Sequence, residues 1–141
     1  MNYLLDTCVI SELVSKKPND QVLSWIDGTV DEHIFLSALT IGEIQRGISK
    51  LPDSSRKDTL ADWLATDLLN RFSGRILTLD TEVLLKWGEL VAHMETVGRP
   101  IPAIDSLFAA QAITYKMTFV TRNIKDFAET GIDLLNPWQN E

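Results

Sequence analysis

The sequence predicts an α/β fold: a short parallel sheet of four to five strands with helices on both faces, in one domain spanning residues 1–141. One pattern predicts it. Apolar runs of about four residues alternate with longer stretches of helical periodicity, and a mostly parallel sheet covered on both faces is what such alternation builds. No linker, repeat or low-complexity stretch divides the chain.

The elements follow in order. Residues 2–5 form a first strand ending in Asp6, and Val9, Ile10, Leu13 and Val14 continue at helical spacing. Lys16, Lys17, Pro18 and Asn19 break the chain, after which Asp20 can cap a helix carrying Val22, Leu23, Trp25 and Ile26. Residues 34–37 are a second strand. Thr40 then opens a helix through Ile41, Ile44 and Ile48, which a turn over 51–55 ends. From 56 to 72 the spacing of Leu60, Trp63, Leu64, Leu68 and Leu69 predicts an amphipathic helix, stopped by Ser73 and Gly74. A third strand over 76–79 precedes a helix capped by Asp80 or Thr81, with Val83, Leu84, Trp87, Leu90, Val91 and Met94 facing inward. Beyond the 99–102 loop, Leu107, Phe108, Gln111, Ala112 and Tyr115 mark another helix, followed by a fourth strand over 118–121. A helical turn over 124–128 and a last strand near 132–135 lead into Asn136, Pro137 and Trp138.

A chain of 141 residues with 45% apolar content can bury a real core. It shows neither a secretory leader nor a segment long enough to cross a bilayer, so a cytoplasmic location is expected. The one cysteine, Cys8, has no partner for a disulfide or a zinc site. A net charge of -7 argues against broad adhesion to nucleic acid. It suits a protein that gathers carboxylates around metal ions or pairs with a basic partner.

In an open parallel sheet, ligands bind in the crevice outside the carboxyl ends of the strands. Asp6 follows the first strand, Glu43 falls in the first turn of the helix after the second, and Asn123 and Asp126 follow the fourth. Asp105 joins them only if its helix starts at that edge. Each acid also has an ordinary role open to it. Asp6 and Asp105 fit N-caps, Glu43 fits the far end of a capping box begun by Thr40, and Asp126 fits an exposed turn. Several carboxylates in one crevice, however, repel one another unless a cation lies between them. Oxygen donors without a thiol pair or a well-placed histidine favour Mg²⁺ or Mn²⁺ over zinc. His33 and His93 read as surface or helix-packing residues. Arg46, three residues past Glu43, reads either as a balancing cation or as plain surface, and Cys8 as a packed side chain rather than a reactive thiol.

Four blocks stand out in series: Leu4-Leu5-Asp6-Thr7 with Val9-Ile10-Ser11-Glu12; Ser37-Ala-Leu-Thr40-Ile-Gly-Glu43-Ile44; Pro102-Ala-Ile-Asp105-Ser106-Leu107; and Val120-Thr121-Arg122-Asn123 with Asp126-Phe127. Together they resemble the signature blocks of PIN domains, in particular VapC-type toxins of toxin-antitoxin pairs and their FitB-like branch. The closing Asn136-Pro137-Trp138 is similar to that group too. The resemblance implies a three-layer fold and Mg²⁺- or Mn²⁺-dependent ribonuclease activity, in which a metal-activated water hydrolyses RNA to leave a 3′-hydroxyl and a 5′-phosphate. It also implies a homodimer or higher assembly and a cognate antitoxin protein. It places Asp6, Glu43 and Asp105 at the family's acidic metal positions, with Thr121, Asn123 and Asp126 in support; by position, Thr7 at the start of its helix and Arg46 on the Glu43 side of its helix read as further supports. A fourth acid often falls where this chain has Asn123. Asparagine offers a carbonyl oxygen without charge, so a second metal is expected to bind weakly or only with substrate.

The helices carrying Trp25, Trp63 and Trp87 hold more large apolar residues than a small sheet readily buries, so apolar surface is expected to remain for a second subunit or an antitoxin. An antitoxin Arg or Lys placed among the carboxylates would satisfy their charge. Two rival enzyme classes fit less well. A phosphoacceptor domain would show a further acidic pair near the first strand and a late lysine, and a haloacid-dehalogenase-like phosphatase would have an Asp where Cys8 stands. A catalytically weak binding module of the same fold is the alternative that three intact acids disfavour.

Overall fold

Short polar side chains in extended backbone start most of the longer helices. The computed structural model describes residues 1–139. In it, Asp6 caps α1 (Thr7–Leu13) and Asn19 caps α2 (Asp20–Asp27). Ser37 caps α3 (Ala38–Ser49) and Ser54 caps α4 (Ser55–Asp62), in each case by accepting from a backbone N–H that the helix itself leaves free. The α4 helix runs on through a π-helical stretch (Trp63–Leu68) into α5 (Leu69–Arg71). Asp80 caps α6 (Thr81–Thr96), while α7 (Ala103–Tyr115) starts after Pro102 and α8 (Ile124–Phe127) after Asn123, neither with a side-chain cap.

The strands are β1 (Tyr3–Leu5), β2 (Ile34–Ser37), β3 (Ile76–Leu77), β4 (Thr118–Val120) and β5 (Leu134–Leu135). They pair in parallel in the order β3-β2-β1-β4-β5. Successive strand residues face opposite sides of a sheet, and here each side has its own core. Leu5 and Val120 face a cluster completed by Val9, Ile26, Ile48 and Leu68 from α1, α2, α3 and the π-helical stretch. Leu4 and Phe119 face a second cluster built on Met94, Phe108, Ala112 and Phe127 from α6 to α8. This is the expected three-layer α/β fold with helices on both faces.

The structure corrects several boundaries. The third strand stops at Leu77 rather than 79, because the carbonyls of Leu77 and Thr78 accept from the buried Gln111 amide at 3.3 and 3.1 Å. The fourth ends at Val120, and the last covers only Leu134 and Leu135. The 56–72 helix is not uniform. Leu60, Leu64, Leu68 and Phe72 recur every four residues, a row that a regular α-helix of 3.6 residues per turn would carry round its axis. The wider π-helical turns keep that row on the core. On the helices expected to leave apolar surface, the three tryptophans themselves are half-buried: Trp25 meets Tyr3 edge-on at 5.1 Å and Trp87 donates to Ser106 at 2.8 Å. Apolar surface does remain on the Trp87 helix, at Leu85 (68% exposed) and at Leu84, which was expected to face inward, and Ile104 is exposed too. Trp138 packs on the first core beneath the Arg122 guanidinium. Among the described residues no helix is long and apolar enough to cross a membrane.

Candidate active site

From β1 the chain moves outward to β2 and β3, then returns to the other side of β1 with β4. The strand order reverses between β1 and β4, and a crevice opens there outside their carboxyl ends. Asp6 leaves β1 at this point and Thr121 leaves β4; the Asp6 N–H donates to Val120 O at 2.8 Å, which locks the two together. One Asp6 oxygen accepts from the Thr7 N–H at 2.7 Å. The other accepts from the Thr121 hydroxyl at 2.7 Å and from the Cys8 thiol at 3.6 Å. Asp6 therefore is the helix cap that its position suggested, and its second oxygen faces the crevice partners as well. Thr121, wholly buried, also accepts from the Asn123 N–H at 3.0 Å, so one hydroxyl fixes both the carboxylate and the turn after β4.

Glu43 does not belong to a capping box. Ser37, not Thr40, caps α3, so the helix starts at Ala38 and Glu43 sits in its second turn rather than its first. An exposed side chain there, it accepts from the Thr7 hydroxyl at 2.6 Å. Thr40 is buried inside the helix with its hydroxyl 3.0 Å from that of Thr7. Sequence reasoning placed Thr40 at a helix start and missed this contact. The spacing of Thr40 and Glu43 on one helical face was its only signal.

Asp105 lies in the first turn of α7 but caps nothing, since Pro102 holds the cap position. The short connection from Tyr115 to Thr118 sets the end of α7 at the start of β4, which puts the first turn of α7 at the opposite, crevice end. Asp105 and Asp126 line one cleft there with Arg99 and Pro102. Asn123 and Asp126 are exposed on the turn that Thr121 anchors. Arg46 is exposed, and among the described residues it pairs with none of these acids.

The acids are coupled by repulsion. Burial raises the Asp105 carboxyl above its ordinary value, and the charges of Asp6, Asp126 and Glu43 raise it further. Asp6 is also raised: desolvation dominates, bonds from Thr121, Thr7 and Cys8 oppose it, and Glu43 adds to it. Burial leads both shifts, and neighbouring carboxylates add to each. Among the described residues no Lys or Arg forms an ion pair with Asp6, Glu43, Asp105 or Asp126. Among the described residues no group of three or more Asp, Glu, His and Cys side chains is arranged to hold a metal ion as it stands. The donor chemistry nevertheless fits a hard divalent cation, being all oxygen, with one fixed carboxylate in Asp6 and one without a hydrogen-bond partner among the described residues in Asp105.

Burial and the neighbouring Asp6 push the Cys8 thiol up to about 11, so it stays protonated. Iodoacetamide at pH 8 should therefore alkylate native Cys8 roughly 100-fold more slowly than the unfolded chain, following the thiolate fraction. Equal rates would show that the thiol is open and ionised.

The chain belongs to the PIN domain family, whose model matches residues 3–132. The toxin FitB of Neisseria gonorrhoeae is 34% identical over 137 residues, 97% of this chain and 99% of that protein. The VapC ribonuclease Y4jK of Sinorhizobium fredii is 34% identical over 136 residues, covering 96% of this chain and 97% of that protein. Among solved structures, FitAB bound to a DNA fragment superposes with a TM-score of 0.93 at 34% identity, covering 99% of this chain and 97% of that one.

Proposed function

We propose that this protein is a divalent-metal-dependent ribonuclease, the toxin of a VapBC-type toxin-antitoxin pair, acting in the cytoplasm. The observation that carries the reading is the electrostatic coupling of Asp105 to Asp6, Asp126 and Glu43, acids from separate parts of the chain, with no Lys or Arg ion pair to any of them among the described residues. Relatives named as a VapC ribonuclease and a toxin, matched over nearly their whole length, support it.

Asp6, Glu43 and Asp105 would hold Mg²⁺ or Mn²⁺. Asp6 is the fixed member, clamped by Thr7 and Thr121. Glu43, exposed, accepts from Thr7 through one oxygen and has its other oxygen available, and Asp105, without a hydrogen-bond partner among the described residues, is free to turn toward an ion. Such an ion, when bound, would supply Lewis-acid chemistry, activating a water and offsetting charge on the scissile phosphate. The chain's own residues orient and exclude. Thr121 keeps Asp6 and the Asn123 turn in register, and no side-chain nucleophile is required. Cys8 is not one, since its thiol stays protonated.

Asn123 stands on that turn, exposed and without a capping bond from its side chain. Asn123→Asp adds a charge to the cluster and should tighten Mn²⁺ binding roughly tenfold, the effect of about 1.4 kcal/mol. Calorimetry decides it; unchanged affinity means that residue 123 points away from the ion.

A partner is supported by an apolar groove. Val14, Ile44, Leu51, Leu60 and Trp63 line it, and it leads to Thr7 and Glu43. An antitoxin segment lying there would bring an Arg or Lys to the carboxylates. Exposed Leu84 and Leu85 on α6 offer apolar area for a second subunit. The Rickettsia felis relative was solved as VapBC2 bound to DNA from its promoter. The direct test of the activity is incubation of the purified chain with total cellular RNA, with and without Mg²⁺ or Mn²⁺. Metal-dependent fragmentation is expected, and intact RNA in both would reject the nuclease.

A further inference from the structure

Thr40 has no part in the chemistry proposed above, yet it is wholly buried with its hydroxyl against that of Thr7. The direction of that bond follows from counting protons. Thr7 Oγ1 carries one hydrogen, and its 2.6 Å contact with a Glu43 carboxylate oxygen, which only accepts, commits that hydrogen to Glu43. Thr40 must then be the donor to Thr7. We propose that Thr40 is a positioning residue: a directed chain from Thr40 to Thr7 to Glu43 holds the Glu43 carboxylate in one orientation at the mouth of the crevice. Its consequence for cleavage rests on the nuclease reading; its geometry does not.

Three features carry this assignment. Glu43 is exposed, and among the described residues Thr7 is its one side-chain partner, so without that bond a long, flexible side chain would sample several rotamers. Thr40 and Glu43 share a helical face at i and i+3, so the chain closes through a residue of a different helix and ties α1 to α3. The Thr40 hydroxyl has no capping duty, because Ser37 caps α3, and Thr7 is its one hydrogen-bond partner among the described residues. A valine would fill the same space. A hydroxyl that is itself receiving a bond is a stronger donor, so Thr40 also strengthens the hold of Thr7 on Glu43.

The test compares wild type with Thr40→Val, Thr40→Ala and Thr40→Ser. Side-chain three-bond couplings of Glu43, measured by NMR on metal-free protein, report its rotamers, and RNA cleavage reports the consequence. One dominant χ1 rotamer is expected in wild type and in Thr40→Ser, with averaged couplings in Thr40→Val and Thr40→Ala. Cleavage should fall roughly tenfold or more in the latter two, the scale of a misplaced group, and be retained in the serine variant. Folding of each variant is checked by its melting curve, and the alanine variant serves if valine overpacks. Glu43 couplings unchanged from wild type in both the valine and alanine variants would overturn the proposal. A wild type that leaves RNA intact while these couplings behave as expected would remove the nuclease reading and keep the relay.

Discussion

Asp6→Asn, Glu43→Gln and Asp105→Asn are each expected to lower RNA cleavage by roughly 10²- to 10³-fold or more, the scale of losing one preorganised electrostatic group from an active site. Each exchange removes one charge and keeps shape and an oxygen, so loss of activity reports on charge rather than on folding. The case is clearest at Asp6. Asparagine is as good an N-cap as aspartate, so α1 keeps the bond from the Thr7 N–H to residue 6. Asp105 makes no capping bond at all, and its replacement leaves α7 without a structural loss. A purified variant with wild-type cleavage would remove that residue from the site.

The second large effect is on stability and runs the opposite way. Metal-free Asp105→Asn should melt above wild type at pH 7. Burial and three neighbouring acids raise the Asp105 pKa in the folded protein, so the folded state binds its proton more tightly than the unfolded chain does. Where the folded state holds more protons, stability falls as pH rises. The loss starts near the unfolded value of 3.8, and is complete once pH passes the raised folded value. At neutral pH the wild type therefore carries the full cost and the asparagine variant carries none. The expected gain is a few degrees, on the scale that about 1 kcal/mol moves a domain of this size, reduced because solvent screens a half-buried group. Below the unfolded value the two proteins should converge. The difference between them cancels Asp80, whose lowered pKa acts in the reverse sense in both. A variant that melts below wild type at pH 7 would mean that Asp105 is balanced by a cation rather than repelled.

Much of this site could be read from sequence because its members are set by chain order. Asp6 falls where β1 ends and Asp126 just after β4, and the alternation of short apolar runs with helices fixes which edge they share. Asp105 was harder, because its place depends on which end of α7 meets the sheet. That is decided by the tight connection into β4, not by local pattern. The capping-box reading of Glu43 failed at one residue: Ser37 competes with Thr40 for the cap, and a strand that ends in serine gives the helix an earlier start. Tertiary contacts were the least legible. The relay through Thr7 joins residues 33 and 36 positions apart, and the Thr121 bond to Asp6 joins residues 115 apart. The shortened β3 likewise depends on Gln111 from a distant helix.

The claim that three acids form one cation site is tested most directly by titrating Mn²⁺ into the purified, RNA-free protein by calorimetry, beside Asp6→Asn, Glu43→Gln and Asp105→Asn. Saturable binding to wild type, weakened roughly tenfold or more in every variant, is the predicted result. Equal affinity across all four proteins, or no binding to wild type at millimolar Mn²⁺, would contradict it.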